Sequence, residues 1–159
     1  MTRAAHDKCG ICAIIARLAQ GKSPDLIAEL PNSWVVLGDA QFYRGYCVLL
    51  AKRHVPEPFL MPRAEALNLF GEVCSVAEAI AEVTHPLKLN YECLGNVEPH
   101  VHWHIFPRHD DDEQKRSPVW ERPAKERMRT LDEHDRGALM AALRAEVSKR
   151  IPNAHLPGD

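Results

Sequence analysis

Four stretches of the chain have the hydrophobic pattern of β-strands. Residues 34–37 and 46–51 are short apolar runs bounded by glycines, which is typical of buried strands between turns. Residues 87–93 form a third apolar-rich stretch, and in residues 100–106 histidines alternate with apolar side chains. This period of two is that of a strand, in which successive side chains point to opposite faces. We expect Pro107 to end the fourth strand.

The segment that follows Pro62 has the periodicity of a long amphipathic helix. Its apolar side chains recur at spacings of three and four, so we expect them to share the buried face. The predicted face consists of Leu67, Phe70, Cys74, Ala77 and Ala81. We expect the helix to end at His85-Pro86, since proline cannot continue a helix.

Two further helices and the predicted strands define the fold class. Residues 9–19 are apolar and rich in alanine, and Gly21 closes them. Asp132 can cap a last helix, whose apolar stripe consists of Leu139, Leu143 and Val147. Strands separated by one long helix predict an α+β domain with a mainly antiparallel sheet, the long helix packed on it, and an additional C-terminal helix.

The region between the histidine stretch and the last helix is predicted to be exposed. Residues 108–130 are charged and contain two prolines, and residues 109–112 predict a solvated acidic turn. Trp120 is an unexpected apolar residue in this loop. Length favours one domain over residues 1–159, with a core at about 9–110 and a C-terminal loop and helix over 111–159.

Composition excludes some classes of function. The 159 residues have a formal net charge of −2, which provides no general electrostatic reason to bind nucleic acid. No apolar run is long enough to span a bilayer and no signal-peptide pattern is present, so we expect a cytoplasmic location. The five cysteines are an odd number in a chain without secretion signals, which favours reduced thiols.

The strongest chemical signal is the alternation of three histidines, His100, His102 and His104. On a strand the three imidazoles would lie on one face, with apolar side chains on the other. Solvation alone does not require three imidazoles there. Histidine serves as a nucleophile, a general acid or base, and a metal ligand. The pattern therefore indicates either covalent catalysis or a metal site, for which Glu98 has the parity to supply a further ligand.

The chain resembles the histidine triad (HIT) family of nucleotide hydrolases and transferases. Residues 100–106 fit the family signature of histidines alternating with hydrophobic residues. Asn90 and the Gly95-Asn96 segment resemble the family's nucleotide-contacting loop, and residues 52–54 are similar to its Lys-x-His sequence. The resemblance covers roughly residues 9–110 and is greatest to the bacterial branch related to diadenosine tetraphosphate hydrolases.

Three positions depart from the family pattern. Tyr46 stands where many members have a histidine, and Val97 where many have serine or threonine. Gly38-Asp39 stands where many have an acid or amide that contacts ribose. These positions belong to nucleotide and phosphate contacts, so they bear on the substrate more than on the chemistry.

The resemblance implies a mechanism and a set of binding residues. His102 would attack the α-phosphorus of a nucleotide and form a nucleotidyl-histidine that water resolves. His104 would contact phosphate oxygens or help to protonate the leaving group, and His100 would brace the site. The implied nucleotide contacts are Asn90, Gly95, Asn96 and Asp39.

A Cys-x-x-Cys pair at the start of the first helix offers a second site. From the residues alone, Cys9 and Cys12 fit a redox motif, half of a zinc site, or two core thiols. The family resemblance implies structural zinc held by Cys9, Cys12, His54 and His100, and two thiolates with two imidazoles suit tetrahedral zinc. The chemistry itself would need no metal.

The sequence thus predicts a HIT-type enzyme that cleaves a phosphoanhydride or phosphoramidate bond of a nucleotide, with a dinucleoside polyphosphate as the favoured substrate. The resemblance implies a homodimer. Two alternatives stay open. One is a metal-dependent hydrolase in which the histidines bind a catalytic metal, and the other is a nucleotide-binding protein without catalysis.

Overall fold

The computed structural model describes residues 9–158 and contains a five-stranded antiparallel sheet with helices on both faces. The strands are β1 (Leu26–Glu29), β2 (Ser33–Leu37), β3 (Cys47–Ala51), β4 (Lys88–Glu92) and β5 (His102–Arg108). The helices are α1 (Gly10–Leu18), α2 (Arg63–Thr84), α3 (Ala124–Arg127) and α4 (Glu133–Arg150). The strand order is β1-β2-β3-β5-β4, so the histidine strand lies inside the sheet between two partners. The predicted α+β class is confirmed.

One face of the sheet carries the main core. Alternate side chains of β2, β3 and β5, including Val35, Leu49 and Ile105, pack against α2 and α4. The helix α2 contributes Val73 and Ile80, which are completely buried. Each Å² of apolar surface that is removed from water stabilises the fold by roughly 25 cal/mol. Burial of these side chains is therefore the main source of the stability of this layer.

The opposite face is divided between α1 and an open cleft. Side chains of α1 pack on Trp34 and Leu50, which are paired with each other across β2 and β3. The next residue in this row is His102, which is paired with Leu50. In the neighbouring row Val48 is paired with His104. His102 and His104 therefore lie on the same face as the side chains on which α1 packs, in two neighbouring rows.

The long helix buries the predicted face only at Ala77 and, in part, at Ala81, and its first three predicted positions are exposed. Leu67, Phe70 and Cys74 are exposed, whereas Leu69, Val73, Val76 and Ile80 are buried. The prediction was wrong because a second series with the same spacing, shifted by two or three residues, also exists in this helix. Periodicity selects a helix, but only the surroundings decide which of two apolar stripes packs on the sheet.

The strand β1 was not predicted, and the ends of β5 differ from the prediction. The residues of β1 are nearly all buried and lack alternation, so their pattern does not distinguish a strand from a buried helix. His155 forms two backbone hydrogen bonds with Glu29 and thereby pairs with the outer side of β1. The strand β5 begins at His102 and continues through Pro107, which is paired with Leu89.

The loop after β5 is tied down by a buried ionic network. Asp112 is 5% exposed and accepts hydrogen bonds from Arg108 and Arg122. Asp112 was expected in a solvated turn, and this expectation was wrong because two guanidinium groups at 2.8 and 2.9 Å compensate its burial. Of the residues that follow this network, Trp120 and Arg127 line the open cleft.

None of the helices in residues 9–158 has the length and apolar content of a membrane span. The predicted domain bounds of 1–159 include residues 1–8 and 159, which lie outside the described part of the chain. The bounds therefore stay a prediction.

Candidate active site and metal site

The three histidines of the triad are divided between two sites. His100 precedes β5 and is completely buried, and its ring lies beside the cysteines at the start of α1. His102 and His104 are half-buried in the open cleft. The prediction that all three imidazoles share one face therefore holds only for His102 and His104, because the backbone at His100 lies outside the regular strand.

A compact cluster of sulfur and nitrogen atoms surrounds the ring of His100. Its Nδ1 lies 3.5 Å from Cys9 Sγ, 3.5 Å from Cys12 Sγ and 3.2 Å from His54 Nδ1. Cys12 Sγ lies 3.3 Å from His54 Nδ1. All four ligand atoms lie within 4.8 Å of one another. These are the four residues that the resemblance implied as zinc ligands.

The cluster has the dimensions of a tetrahedral zinc site. Zinc–ligand bonds of about 2.0–2.3 Å require about 3.3 Å between two nitrogens and about 3.6 Å between sulfur and nitrogen. The observed distances agree with both values. In addition, Nε2 of His100 lies 2.7 Å from the carbonyl oxygen of Ala51. A carbonyl only accepts, so the ring hydrogen is at Nε2, and the lone pair that a metal needs is at Nδ1, on the side of the cluster.

The surroundings of Cys12 favour its neutral thiol over the thiolate. Burial, followed by the neighbouring Cys9, raises the pKa of Cys12 to about 12. Two thiolates at this place would repel each other without a positive charge between them. Glu98, considered above as a further ligand, accepts a hydrogen bond from the backbone of Gly10 at 3.0 Å and caps α1.

The ring of His102 is oriented by the backbone of its own strand. Its Nδ1 lies 2.6 Å from the carbonyl oxygen of His100. Because the carbonyl accepts, Nδ1 carries the hydrogen and Nε2 has a lone pair. An imidazole in this tautomer is a nucleophile near neutral pH.

The ring of His104 is enclosed by aromatic side chains. Tyr46 places its hydroxyl 2.6 Å from His104 Nδ1, and Trp120 lies edge-on at 5.6 Å between ring centroids. Burial, followed by the nearby His102, lowers the pKa of His104 to about 4. His104 is therefore neutral at physiological pH.

A carboxylate from the edge strand lies beside this part of the cleft. Glu92 is paired with His104 across β4 and β5 and accepts a hydrogen bond from the Trp120 indole. Burial raises the pKa of Glu92 above its usual range, against the opposing effect of this hydrogen bond. The hydrogen bond fixes Trp120 at the wall of the cleft, and Arg127 stacks on the other side of the indole at 4.5 Å.

The cleft consists of two adjoining cavities. The first, of about 440 Å³, contains His102 and His104 together with Gly95 and Asn96 of the loop before β5. The second, of about 390 Å³, is lined by Asp39 and by side chains of β2, β3 and α1. Ile14, Val48, Leu50 and Trp120 line both cavities. Together they have room for an elongated ligand that passes the histidines.

The predicted nucleotide contacts are thus only partly brought together. Gly95, Asn96 and Asp39 line the two cavities, whereas Asn90 lies in a separate groove and accepts a hydrogen bond from Arg108 at 2.7 Å. Their roles stay predictions. Glu92 was not predicted as a residue of this region. Its position beside His104 could be inferred only once β4 was known to pair with β5, since directly paired residues lie on the same face of a sheet.

Comparisons with known proteins agree with this architecture. The sequence matches the HIT domain over residues 21–111. A histidine triad protein from Bradyrhizobium japonicum is 28% identical, with a TM-score of 0.65 over 83% of this chain and 95% of that chain. A histidine triad protein from Marinobacter aquaeolei VT8 is 21% identical, with a TM-score of 0.68 over 85% of this chain and 95% of that chain.

A third similar structure is a zinc-bound histidine triad family protein from Mycobacterium smegmatis. It is 22% identical, with a TM-score of 0.63 over 91% of this chain and 96% of that chain. No curated protein sequence matches this chain. Since the matched segment covers more than half of the 159 residues, the chain belongs to the HIT domain family.

Proposed function

We propose that this protein is a hydrolase or nucleotidyl transferase that cleaves at the α-phosphate of a nucleotide conjugate through a nucleotidyl-His102 intermediate. The observation that carries the proposal is the contact of His102 Nδ1 with the His100 carbonyl at 2.6 Å. It leaves the Nε2 lone pair for attack in a cavity of about 440 Å³. Dinucleoside polyphosphates are the favoured substrates, and nucleoside phosphoramidates are the second class.

The surrounding groups suit transfer of a nucleotidyl group. His102 would attack the α-phosphorus and displace the leaving group, and water would then cleave the nitrogen–phosphorus bond. Such a transition state places charge on the equatorial phosphate oxygens, which need fixed hydrogen-bond donors. Asn96 and the backbone at Gly95 can donate from one side, and His104 can donate from the other. Asp39 lines the adjoining cavity, where its carboxylate can accept from ribose hydroxyls.

The same proposal assigns structural zinc to the other end of the triad. Cys9, Cys12, His54 and His100 would hold the ion, and their distances support this assignment. When bound, zinc would cross-link the start of α1 to the segments that follow β3 and precede β5. These residues lie in three separate parts of the chain, so their cross-link stabilises the sheet face on which α1 packs.

The division of the histidines disfavours the metal-dependent alternative. Within residues 9–158, the metal-type cluster that includes a triad residue uses His100 alone of the three. His102 is directed by a backbone carbonyl and His104 by Tyr46. A nucleotide-binding protein without catalysis remains the second candidate, and the exposed Val97 at the rim of the cleft is the observation that favours it.

We also propose a homodimer formed through an apolar surface of Phe70, Cys74, Trp103 and Tyr91. Phe70 and Tyr91 are 51% and 44% exposed. The rings of Phe70 and Trp103 lie next to each other, with 5.8 Å between their centroids. β4 is an edge strand beside this surface, and an unpaired edge is suited to a second copy. We expect Phe70→Glu to be monomeric in light scattering at a concentration where the unaltered protein is dimeric.

The cytoplasmic location stays a prediction.

Mass spectrometry can test the proposed intermediate. The protein is mixed with diadenosine tetraphosphate or adenosine 5′-phosphoramidate and quenched at neutral to basic pH. We expect an added adenylate mass on the unaltered protein and on His134→Ala, an exposed histidine of α4, but not on His102→Ala. An adduct that persists in His102→Ala would overturn the assignment of the nucleophile. Binding of both compounds without turnover would favour the non-catalytic alternative.

A further inference from the structure

The contact between Tyr46 and His104 determines which nitrogen of His104 carries a hydrogen. The Tyr46 hydroxyl lies 2.6 Å from His104 Nδ1. A phenol can donate or accept, but within residues 9–158 the hydroxyl of Tyr46 has His104 Nδ1 as its one hydrogen-bond partner. The phenolic hydrogen is therefore satisfied only when Tyr46 donates it to an unprotonated Nδ1. A neutral His104 that accepts at Nδ1 carries its hydrogen at Nε2. The tautomer therefore follows from one hydrogen bond.

The two histidines of the cleft are consequently held in opposite states. His102 donates from Nδ1 to a carbonyl and has its lone pair at Nε2. His104 accepts at Nδ1 and has its hydrogen at Nε2. Their ring centroids are 4.8 Å apart. One cavity thus contains a nucleophilic nitrogen next to a neutral hydrogen-bond donor.

The fold is built closely around the phenol of Tyr46. A Cβ atom at Gly38 would lie 2.2 Å from the Tyr46 ring, so the adjacent strand has no side chain there. Buried Gln41 donates its amide hydrogens to the carbonyls of Gly38 at 2.8 Å and Tyr46 at 2.9 Å. The ring itself stacks on Phe106 with 4.1 Å between centroids. These contacts leave the hydroxyl little freedom to move away from His104.

We infer that Tyr46 is a positioning residue that holds His104 as a neutral Nε2–H donor, and that the site consequently favours phosphoanhydride over phosphoramidate substrates. This inference rests on the proposed function and narrows its substrate class. It concerns a position at which the chain departs from the usual histidine of its family.

The reason for this preference is that the two leaving groups differ in whether they need a proton to depart. The lone pair of His102 Nε2 forms a bond to the α-phosphorus, and the bond to the leaving atom breaks with its electron pair. In a phosphoanhydride the leaving phosphate departs as an anion, and a hydrogen bond from His104 Nε2–H suffices. In a phosphoramidate the leaving nitrogen must gain a proton to depart as an amine.

The Tyr46–His104 pair is a poor source of that proton. If His104 gave its Nε2 proton to the amine, Tyr46 would have to transfer its own proton to Nδ1 and become a phenolate. Burial, followed by the charge of Cys47, raises the pKa of Tyr46 and opposes this transfer. The low pKa of His104, about 4, also prevents the ring from starting as an imidazolium near neutrality.

The tautomer can be measured without any substrate. Two-dimensional ¹H–¹⁵N spectra of histidine-labelled protein at neutral pH distinguish protonated from unprotonated ring nitrogens. We expect His104 of the unaltered protein to have a protonated Nε2 and an unprotonated Nδ1. We expect Tyr46→Phe to show exchange between the two tautomers, and Tyr91→Phe, which removes a hydroxyl from β4, to show the unaltered pattern. Protonated Nδ1 in the unaltered protein would overturn the inference even if no variant folds.

Kinetics test the consequence for the substrate. We expect kcat/KM of the unaltered protein to be at least about 100-fold higher for diadenosine tetraphosphate than for adenosine 5′-phosphoramidate. Tyr46→Phe should lower kcat for the tetraphosphate about 10-fold with little change in KM, since it loosens a donor that acts in the transition state. Equal or faster turnover of the phosphoramidate by the unaltered protein would contradict the inference. Turnover of neither compound would contradict the proposed function and the substrate preference with it, while the spectra decide the tautomer independently.

Discussion

The cysteine–histidine cluster and the open cleft differ in how they use residues of the same short segment. His100 is completely buried, with sulfur atoms on one side of its ring and the Ala51 carbonyl on the other. His102, two residues later, lies in the cleft and uses the His100 carbonyl to orient its ring. The difference shows that identical side chains acquire distinct chemistry from their hydrogen-bond partners. It also shows that the two sites are joined through one residue.

The largest effect should come from the nucleophile. We expect His102→Ala to lower kcat by about 10⁴-fold or more, because the residual rate relies on substrate binding and oxyanion contacts alone. The thermal unfolding midpoint should stay close to that of the unaltered protein, since His102 is only half-buried. Steady-state rates and differential scanning calorimetry measure both. Near-normal turnover would show that the cleft does not work through His102.

Removal of metal from the cluster should lower the stability of the fold and leave the rate of turnover nearly unchanged. If zinc is bound at about 1,000 times its dissociation constant, its removal lowers the free energy of unfolding by about 4 kcal/mol. We expect chelation to lower the unfolding midpoint, while the rate per folded molecule stays within about threefold, since no chemical step uses the metal. Cys12→Ser should reproduce the loss of stability. Reversible loss of activity at constant fold would instead favour the metal-dependent hydrolase.

A third buried polar group, Asp112, extends the comparison because its own side chain lines neither site. We expect Asp112→Asn to lower the free energy of unfolding by about 3 kcal/mol, since it leaves Arg108 and Arg122 without a buried counter-ion. Denaturation with urea measures the change. The same substitution at exposed Asp111 should change the free energy by less than about 0.5 kcal/mol.

The pH dependence of the stability should identify the same group. Burial opposes ionisation of Asp112, but Arg108 and Arg122 lower its pKa overall. A carboxyl with a lower pKa in the folded state contributes stability above its unfolded pKa of about 3.9. The contribution disappears as the pH falls through the folded pKa. A loss of stability with acid that is equally large in Asp112→Asn would contradict this assignment.

The smallest expected effect is at Gly38, which tests the packing of the cleft. We expect Gly38→Ala to lower the free energy of unfolding by about 1–3 kcal/mol, because the new methyl group meets the Tyr46 ring. Displacement of that ring should also lower kcat. Gly71→Ala provides the matched control, since within residues 9–158 no atom outside its own helical turn lies within 4 Å of a Cβ there, and the position is within α2. It should raise stability by about 0.5–1 kcal/mol.

Much of the fold could be predicted from local patterns, and the exceptions have physical causes. The histidine alternation, the apolar run of β3 and the capped last helix correspond to elements of the structure. The buried strand β1 was missed because its pattern fits a buried helix equally well. The face predicted for α2 was wrong at Leu67, Phe70 and Cys74 because the helix carries two apolar stripes, and this part of the predicted stripe is exposed.

For the candidate sites, the chain by itself determined which chemical groups are present and which lie close in sequence. The alternating histidines, the Cys-x-x-Cys pair and the Gly-Asn loop before β5 all follow from local spacing. Only the tertiary structure decided their partners. It brought Cys12 beside His54, Tyr46 against His104 and Glu92 to the Trp120 indole. The reason is physical: tautomer, charge and metal geometry depend on atoms within about 3.5 Å, which chain folding brings together from distant positions.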